Sequence, residues 1–468
     1  MLERMITLQG LPSMLNRKNF AQLTPIYSMQ NPNEPITLYE GSMEIIDARQ
    51  PAKGVGILKL TWLPFPEIKF EMDITSSSFH PFLMEGLARE LSEPNFYYKL
   101  ELPDFEVHNI NVYITRIEPS KAIGWLQKPQ AIIKDLGVDL QYVLFHLVNF
   151  SSSRIHKILN RNERENSVDI ILKSQNWQIT IEPLNNLKQL VKELDYFGGY
   201  SITHVAKIER CDGKKFSSKE VHQLLEAVFY FLSFARGLWS PPILPVGFDS
   251  DGNQAWQEWR LLNVDSWKQV VRAGSSSEHA LRFYATFSGF MDKWFHRKSY
   301  WRDSLRIAID WYIQANSTGL NIEASIILVH AGLELLNSIC ISSEEKSKIN
   351  KNIRKRINNK DKPSEFQACL QFLIHEKIGV EWEVPIELNK LNDLRENGST
   401  LLTQLRNGLV HRKPNDKNKE KQLSKFSFEA RYEVLELSLW YMEVVILYFL
   451  GYQENDIKKI VQFIPSLL

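Results

Sequence analysis

Arg406 and His411 bracket the run Arg406-Asn407-Gly408-Leu409-Val410-His411, with four residues between them, and both residue types can act on a phosphodiester. A histidine with an unperturbed pKa of about 6.5 exchanges protons near neutral pH. An arginine stays charged, and its planar fork matches phosphate oxygens. RNA carries its own nucleophile, the 2′-hydroxyl, so a site that moves a proton and stabilises charge on phosphorus needs neither metal nor cofactor. Asn407 stands four residues before His411, so on a helix the two share a face and Asn407 can orient the imidazole or the phosphate. Arg406 is about 140° away on a helix of about 3.6 residues per turn. Its length, with Gly408 and Pro414 nearby, covers part of that angle. Eleven histidines make such a pair a chance event about half the time, and the same residues also suit the polar face of a packing helix.

A second polar set lies on an otherwise apolar stretch, SIILVHAGLELLNSI, where His330, Glu334 and Asn337 are spaced by four and then three residues. Buried polar groups are costly unless partnered. Either His330 and Glu334 satisfy each other as a core pair, or Glu334 faces the motif helix and holds Arg406 or His411. Two basic runs flank this region. KSKINKNIRKRINNKDK (346–362) supplies Lys351, Arg354, Lys355 and Arg356, and RKPNDKNKEKQLSK (412–425) supplies Arg412 and Lys413. Such density binds phosphates without reading sequence, although a charge run is more often a solvated loop. No P-loop, dinucleotide fingerprint, H-E-x-x-H or nucleophile elbow occurs.

These residues need elements to position them. With 468 residues, two or three domains are expected. GILKLTWLPFPEIKFEMDI, FYYKLELPDFEVHNINVYITRIEP, SVDIILKSQNWQITIEPL and YSITHVAKIER alternate apolar and polar residues, as half-buried strands do. They predict an antiparallel sandwich or barrel-like domain. At Ser217 the period changes to helical, with Glu220 placed for a capping box. WSPPILPVGFDSDGNQ is rich in Pro, Gly and Asp and reads as a connector, with Trp256, Trp259 and Trp267 available to anchor one domain on the other. Beyond residue 278 nearly everything is helical: 278–315 as two helices or one kinked helix, then 323–340, 363–379, 400–412, 426–451 and 454–463. The expected organisation is α+β: a strand-rich sensor or regulatory domain over 1–240 that ends in a helix, a connector over 241–277, and an all-α bundle over 278–468.

The run RNGLVHRKP, placed late in a helical bundle whose core helix reads SIILVHAGLELLNSI, resembles the HEPN superfamily of ribonucleases. The layout of a β-rich half before such a bundle, with fragments such as GILKLTWLPFP, is similar to the ApeA-type abortive-infection proteins of anti-phage defence. The resemblance covers roughly the last 190 residues (278–468) and implies a metal-independent endoribonuclease with RNA as substrate. It also implies a homodimer whose facing bundles form one composite cleft, and a phage-derived trigger acting at the N-terminal domain. A catalytically silent HEPN module that binds RNA, nucleotide or a partner protein is the competing expectation, and an interaction scaffold a further one. A net charge of +1 makes any basic surface local. Cys211, Cys340 and Cys369 form no C-x-x-C pair, which fits a reducing cytoplasm. The first 20 residues have no continuous apolar core, and Leu437 to Leu450, interrupted by Glu443, is shorter than the roughly 20 residues of a membrane span.

Overall fold

The computed structural model describes residues 22–46, 51–75, 97–118, 120–127, 130–150, 170–268, 279–296, 298–317, 321–355, 363–381, 386–390, 398–410, 424–452, 455 and 457. Six antiparallel strands form a closed barrel: β1 (Ile36–Ile46), β2 (Pro51–Thr61), β3 (Glu67–Ile74), β4 (Tyr98–Leu102), β5 (Val107–Glu118) and β6 (Lys121–Leu126), in the order β1-β2-β3-β6-β5-β4. Alternation along β3 and β6 sends every second residue inward, so Ile68, Phe70, Met72, Ala122 and Leu126 fill the interior.

Seven further strands form a second antiparallel sheet. They are β7 (Ala131–Asp135), β8 (Tyr142–Val148), β9 (Ile170–Ser174), β10 (Trp177–Pro183), β11 (Ile202–Arg210), β12 (Ile243–Phe248) and β13 (Gln254–Arg260), ordered β7-β13-β12-β8-β11-β10-β9. Helix α1 (Leu187–Phe197) follows β10, and α2 (Ser218–Arg236) follows β11. Strand β8 is buried at six of its seven positions, because both faces of the sheet are covered. Val143, Phe145 and Leu147 enter the core shared with α2, while Leu144 packs with Leu23 and Tyr27 and Val148 joins the barrel core.

The helical part comprises α3 (His279–His296), α4 (Ser299–Asn316), α5 (Ile322–Cys340), α6 (Ser343–Lys355), α7 (Glu365–Gln371, continued as a π-helix over Phe372–Ile378), α8 (Ile386–Lys390), α9 (Gly398–Val410) and α10 (Phe428–Phe449). The fold is α+β, with the strands first and the helices after them. By length and composition α5 is the one described helix able to cross a membrane; here its Ile326, Val329, Leu333 and Leu336 are buried in the bundle core.

Several expectations change. Residues 241–277 are not a plain connector, since β12 and β13 pair with each other and β12 pairs with β8. The Pro/Gly punctuation that marked a linker marks a hairpin, closed by Asp249 accepting from Asp251 and Asn253. The strand-rich part is built of two sheets, one of them the barrel that the sequence had offered beside a sandwich, and the second reaches past residue 240 to include β12 and β13. Trp259 stacks on Phe105 at 4.6 Å and donates to Tyr27 Oη at 2.9 Å, so it joins barrel to sheet. Trp267 donates to Asp195 of α1 at 2.8 Å. The sheet meets the bundle through β9, which packs on α3, and through α2, whose capping box at Ser217 and Glu220 forms as read. Phe231 of α2 lies edge-on to Phe287 and Phe290 of α3. Gly237 ends α2 at φ 74, a left-handed conformation that suits glycine, and its carbonyl accepts from Asn316 Nδ2 at 3.2 Å. One continuous apolar core therefore runs from the sheet into the helices.

Candidate active site around Arg406

The motif helix α9 is held by Leu401, Leu402 and Leu405, all buried, with Leu409 packed against the same core. These residues press α9 onto α5, α7 and α10. Arg406 and Asn407 fall on the half-buried side, and Arg406 Nη1 donates to Asn407 Oδ1 at 3.0 Å. Asn407 thus holds the neighbouring guanidinium. His411, Arg412, Lys413 and Arg356 lie outside the described residues. His411 follows directly on Val410, the last residue of α9.

His330 lies on α5, one of the helices packed against α9. It is only 3% exposed, and its ring packs against Phe366 of α7 with centroids 4.1 Å apart at 35°. Burial pushes its pKa down to about 4, and the positive charge of Arg406 adds to the shift. His330 is therefore neutral at pH 7. Its Nδ1 lies 3.7 Å from Glu334 Oε2, one turn along α5, an electrostatic approach longer than a hydrogen bond. The Glu334 side chain is half exposed. Asn337 completes the polar stripe; among the described residues neither of its buried amide atoms has a hydrogen-bond partner.

The described part of the first basic run, 346–355, lies on helix α6. Lys346 bridges to Glu365 of α7 at 2.7 Å and Lys348 to Glu344 at 2.8 Å. Lys351 is exposed on the same helix. Arg354 and Lys355 belong to α6 by backbone, and their side chains lie outside the description. Since α7 carries both Phe366 and Glu365, one short helix links the basic helix to the His330 ring. Phe366 was not legible as a site residue, because an aromatic seven residues before Leu373 reads as core.

A cleft of about 510 Å³ opens elsewhere, between residues 22–31 and the start of α1. Gln22, Thr24, Ser28, Asn31, Asn186 and Gln189 are among the residues that line it.

Known proteins supply a comparison for this arrangement. Residues 136–270 match the YopA central domain, and residues 298–462 match the YopA C-terminal domain. The chain is similar to YopA. It is 24% identical over 436 residues to the SPbeta prophage-derived uncharacterized protein YopA of Bacillus subtilis (strain 168), covering 92% of each chain. No solved structure matches. The YopA central-domain match spans β8 to β13 with α1 and α2. The YopA C-terminal match spans α4 to α10, and so includes His330, Glu334, Phe366 and Arg406.

Proposed function

We propose that this chain is a metal-independent endoribonuclease of the HEPN type, with Arg406 stabilising the phosphate and His411 moving the proton of the 2′-hydroxyl. The observation that carries the reading is the setting of Arg406. It lies near the end of α9 and donates to Asn407 Oδ1 at 3.0 Å, with His411 the next residue in sequence after Val410. A guanidinium held in this way is preorganised to meet a phosphate, and preorganised charge is what phosphoryl transfer uses most. Lys351 and its basic neighbours supply sequence-independent affinity for RNA.

In this reading the protein is cytoplasmic and dimerises through the C-terminal bundle into a composite cleft. The prophage-derived relative suits a role in conflict between phages and their host, such as abortive infection. The cleft by α1 has the volume of a small-ligand site, about 300–1,000 Å³, and its uncharged amides and hydroxyls fit a neutral, hydrogen-bonding trigger. The half-burial of Arg406 favours one second reading, a HEPN module that binds RNA without cutting it. Purified full-length protein incubated with single-stranded RNA in EDTA separates the two. Cleavage lost in both Arg406→Ala and His411→Ala supports the enzyme; binding without cleavage supports the module.

A further inference from the structure

We propose that the outer wall of the barrel carries a binding platform for a single strand of nucleic acid, formed by Lys59, Lys69, Trp125 and Tyr113. The inference goes beyond the ribonuclease reading and holds whether or not the chain cuts what it binds.

The register of the barrel places these four side chains on one line. Lys59 of β2 is paired with Lys69 of β3, Lys69 with Trp125 of β6, and Trp125 with Tyr113 of β5. Their neighbours in sequence, Leu58, Leu60, Ile68, Phe70, Leu126 and Val112, are buried in the barrel core, so alternation turns the four outward. Adjacent strands lie about 4.8 Å apart, and the line therefore runs about 14 Å across four strands. Two lysines directly opposite each other repel and weaken a strand pair. Elsewhere on the barrel wall lysines meet carboxylates: Lys53 bridges to Glu44 at 2.7 Å, and Lys121 to Glu71. Lys69 reaches Glu67 only at 3.6 Å, and among the described residues Lys59 has no ion-pair partner. An anion lying over β2 and β3 relieves that repulsion.

The next two positions on the line are aromatic. Trp125 is 37% exposed, and the part of its indole left in water forgoes the stabilisation that burial brings. Tyr113 beside it is held by Gln127, whose Nε2 donates to Tyr113 Oη at 3.3 Å. Cations followed along one line by aromatic rings match a strand with charge on its backbone and a π face on each base: phosphates meet the lysines, and bases stack on the rings. A duplex keeps its bases stacked on one another, so the rings select a single strand. Since every base has a π face, the platform reads no sequence.

The test uses the full-length chain in EDTA with short fluorescein-labelled oligouridine and oligothymidine, read by anisotropy over a range of salt. Oligothymidine has no 2′-hydroxyl, so its binding is read apart from any cleavage. Trp125→Ala should weaken binding of both about 5–150-fold, the range for losing one stacked base. Trp125→Phe, which keeps a ring, should recover most of the loss. Lys59→Thr/Lys69→Thr should lower the slope of log affinity against log salt by about 1.4, as two lost phosphate contacts on a single strand require. The urea midpoint of this pair should match or exceed that of the wild type, because a repulsion has gone. Where Trp125→Ala lowers the urea midpoint, the lysine pair decides. A wild-type chain that binds neither oligonucleotide overturns the inference, as do Trp125 and lysine variants that bind both as the wild type does. Binding that Lys351→Ala abolishes and the barrel variants keep places the strand on α6 and also overturns it. Oligothymidine binding that the barrel variants lose, in a chain that leaves RNA intact, supports the platform and overturns the ribonuclease reading alone.

Discussion

Removing the Phe231 ring should loosen the sheet and the bundle together. Phe231 is fully buried on α2, with ring centroids 5.0 Å from Phe287 and 5.6 Å from Phe290, both on α3. A Phe→Ala change in a packed core costs about 3–5 kcal/mol, a large share of the roughly 5–15 kcal/mol that keeps a domain folded. With a urea dependence of about 3 kcal/mol per molar, the midpoint of Phe231→Ala should fall by about 1–1.7 M. Hydrogen exchange read peptide by peptide shows where the loss falls. If one core joins the two parts, protection should drop in β8 and β11 and equally in α5 and α10. A fall confined to the strands, with α5 and α10 as protected as before, would refute the shared core. The same reasoning predicts that a fragment starting near residue 278 loses the cover of Phe287, Phe290 and Trp294 and aggregates, so control of the bundle has to be studied in the whole chain.

Three further outcomes follow from named groups. His146 is fully buried, accepts the Tyr27 amide proton at 3.1 Å and has its pKa pushed down to about 4 by burial; with an unfolded value near 6.5 the unfolded chain binds the extra proton between those limits. Stability is then complete above about pH 6.5 and declines as pH falls towards 4, by up to about 3 kcal/mol, with His330 acting in the same direction. Urea midpoints that match at pH 7 and pH 5 would contradict this. Lys351→Ala should weaken RNA binding equally across sequences and reduce the salt slope by about one; an unchanged slope by fluorescence anisotropy places the RNA elsewhere. Mixing Arg406→Ala with His411→Ala protomers should restore part of the activity if each cleft draws on two chains, and a mixture as inactive as its parts argues against a composite cleft.

The sequence was most legible where one face of an element is buried. The α9 stripe of Leu402, Leu405 and Leu409, the Ser217–Glu220 box and the hairpin of β9 and β10 all follow from period and capping. Strand β8 was missed because YVLFHLV, covered on both faces, has no alternation to read. The hairpin of β12 and β13 was hidden by Pro and Gly that serve its turns. At the site, the types and spacing of Arg406, Asn407, Glu334 and His330 were visible. The packing of α5 against α9 was not, because no local pattern encodes how two helices cross.

The chemistry of the cut end tests the central claim most directly. RNA labelled at its 5′ end, incubated with the full-length protein in EDTA and resolved by mass, should end in a 2′,3′-cyclic phosphate. A single 2′-deoxynucleotide at the cut position should abolish cleavage there, because the attacking hydroxyl is gone. Fragments ending in a 3′-hydroxyl, or cleavage at the deoxy position, would contradict 2′-hydroxyl attack supported by Arg406 and His411.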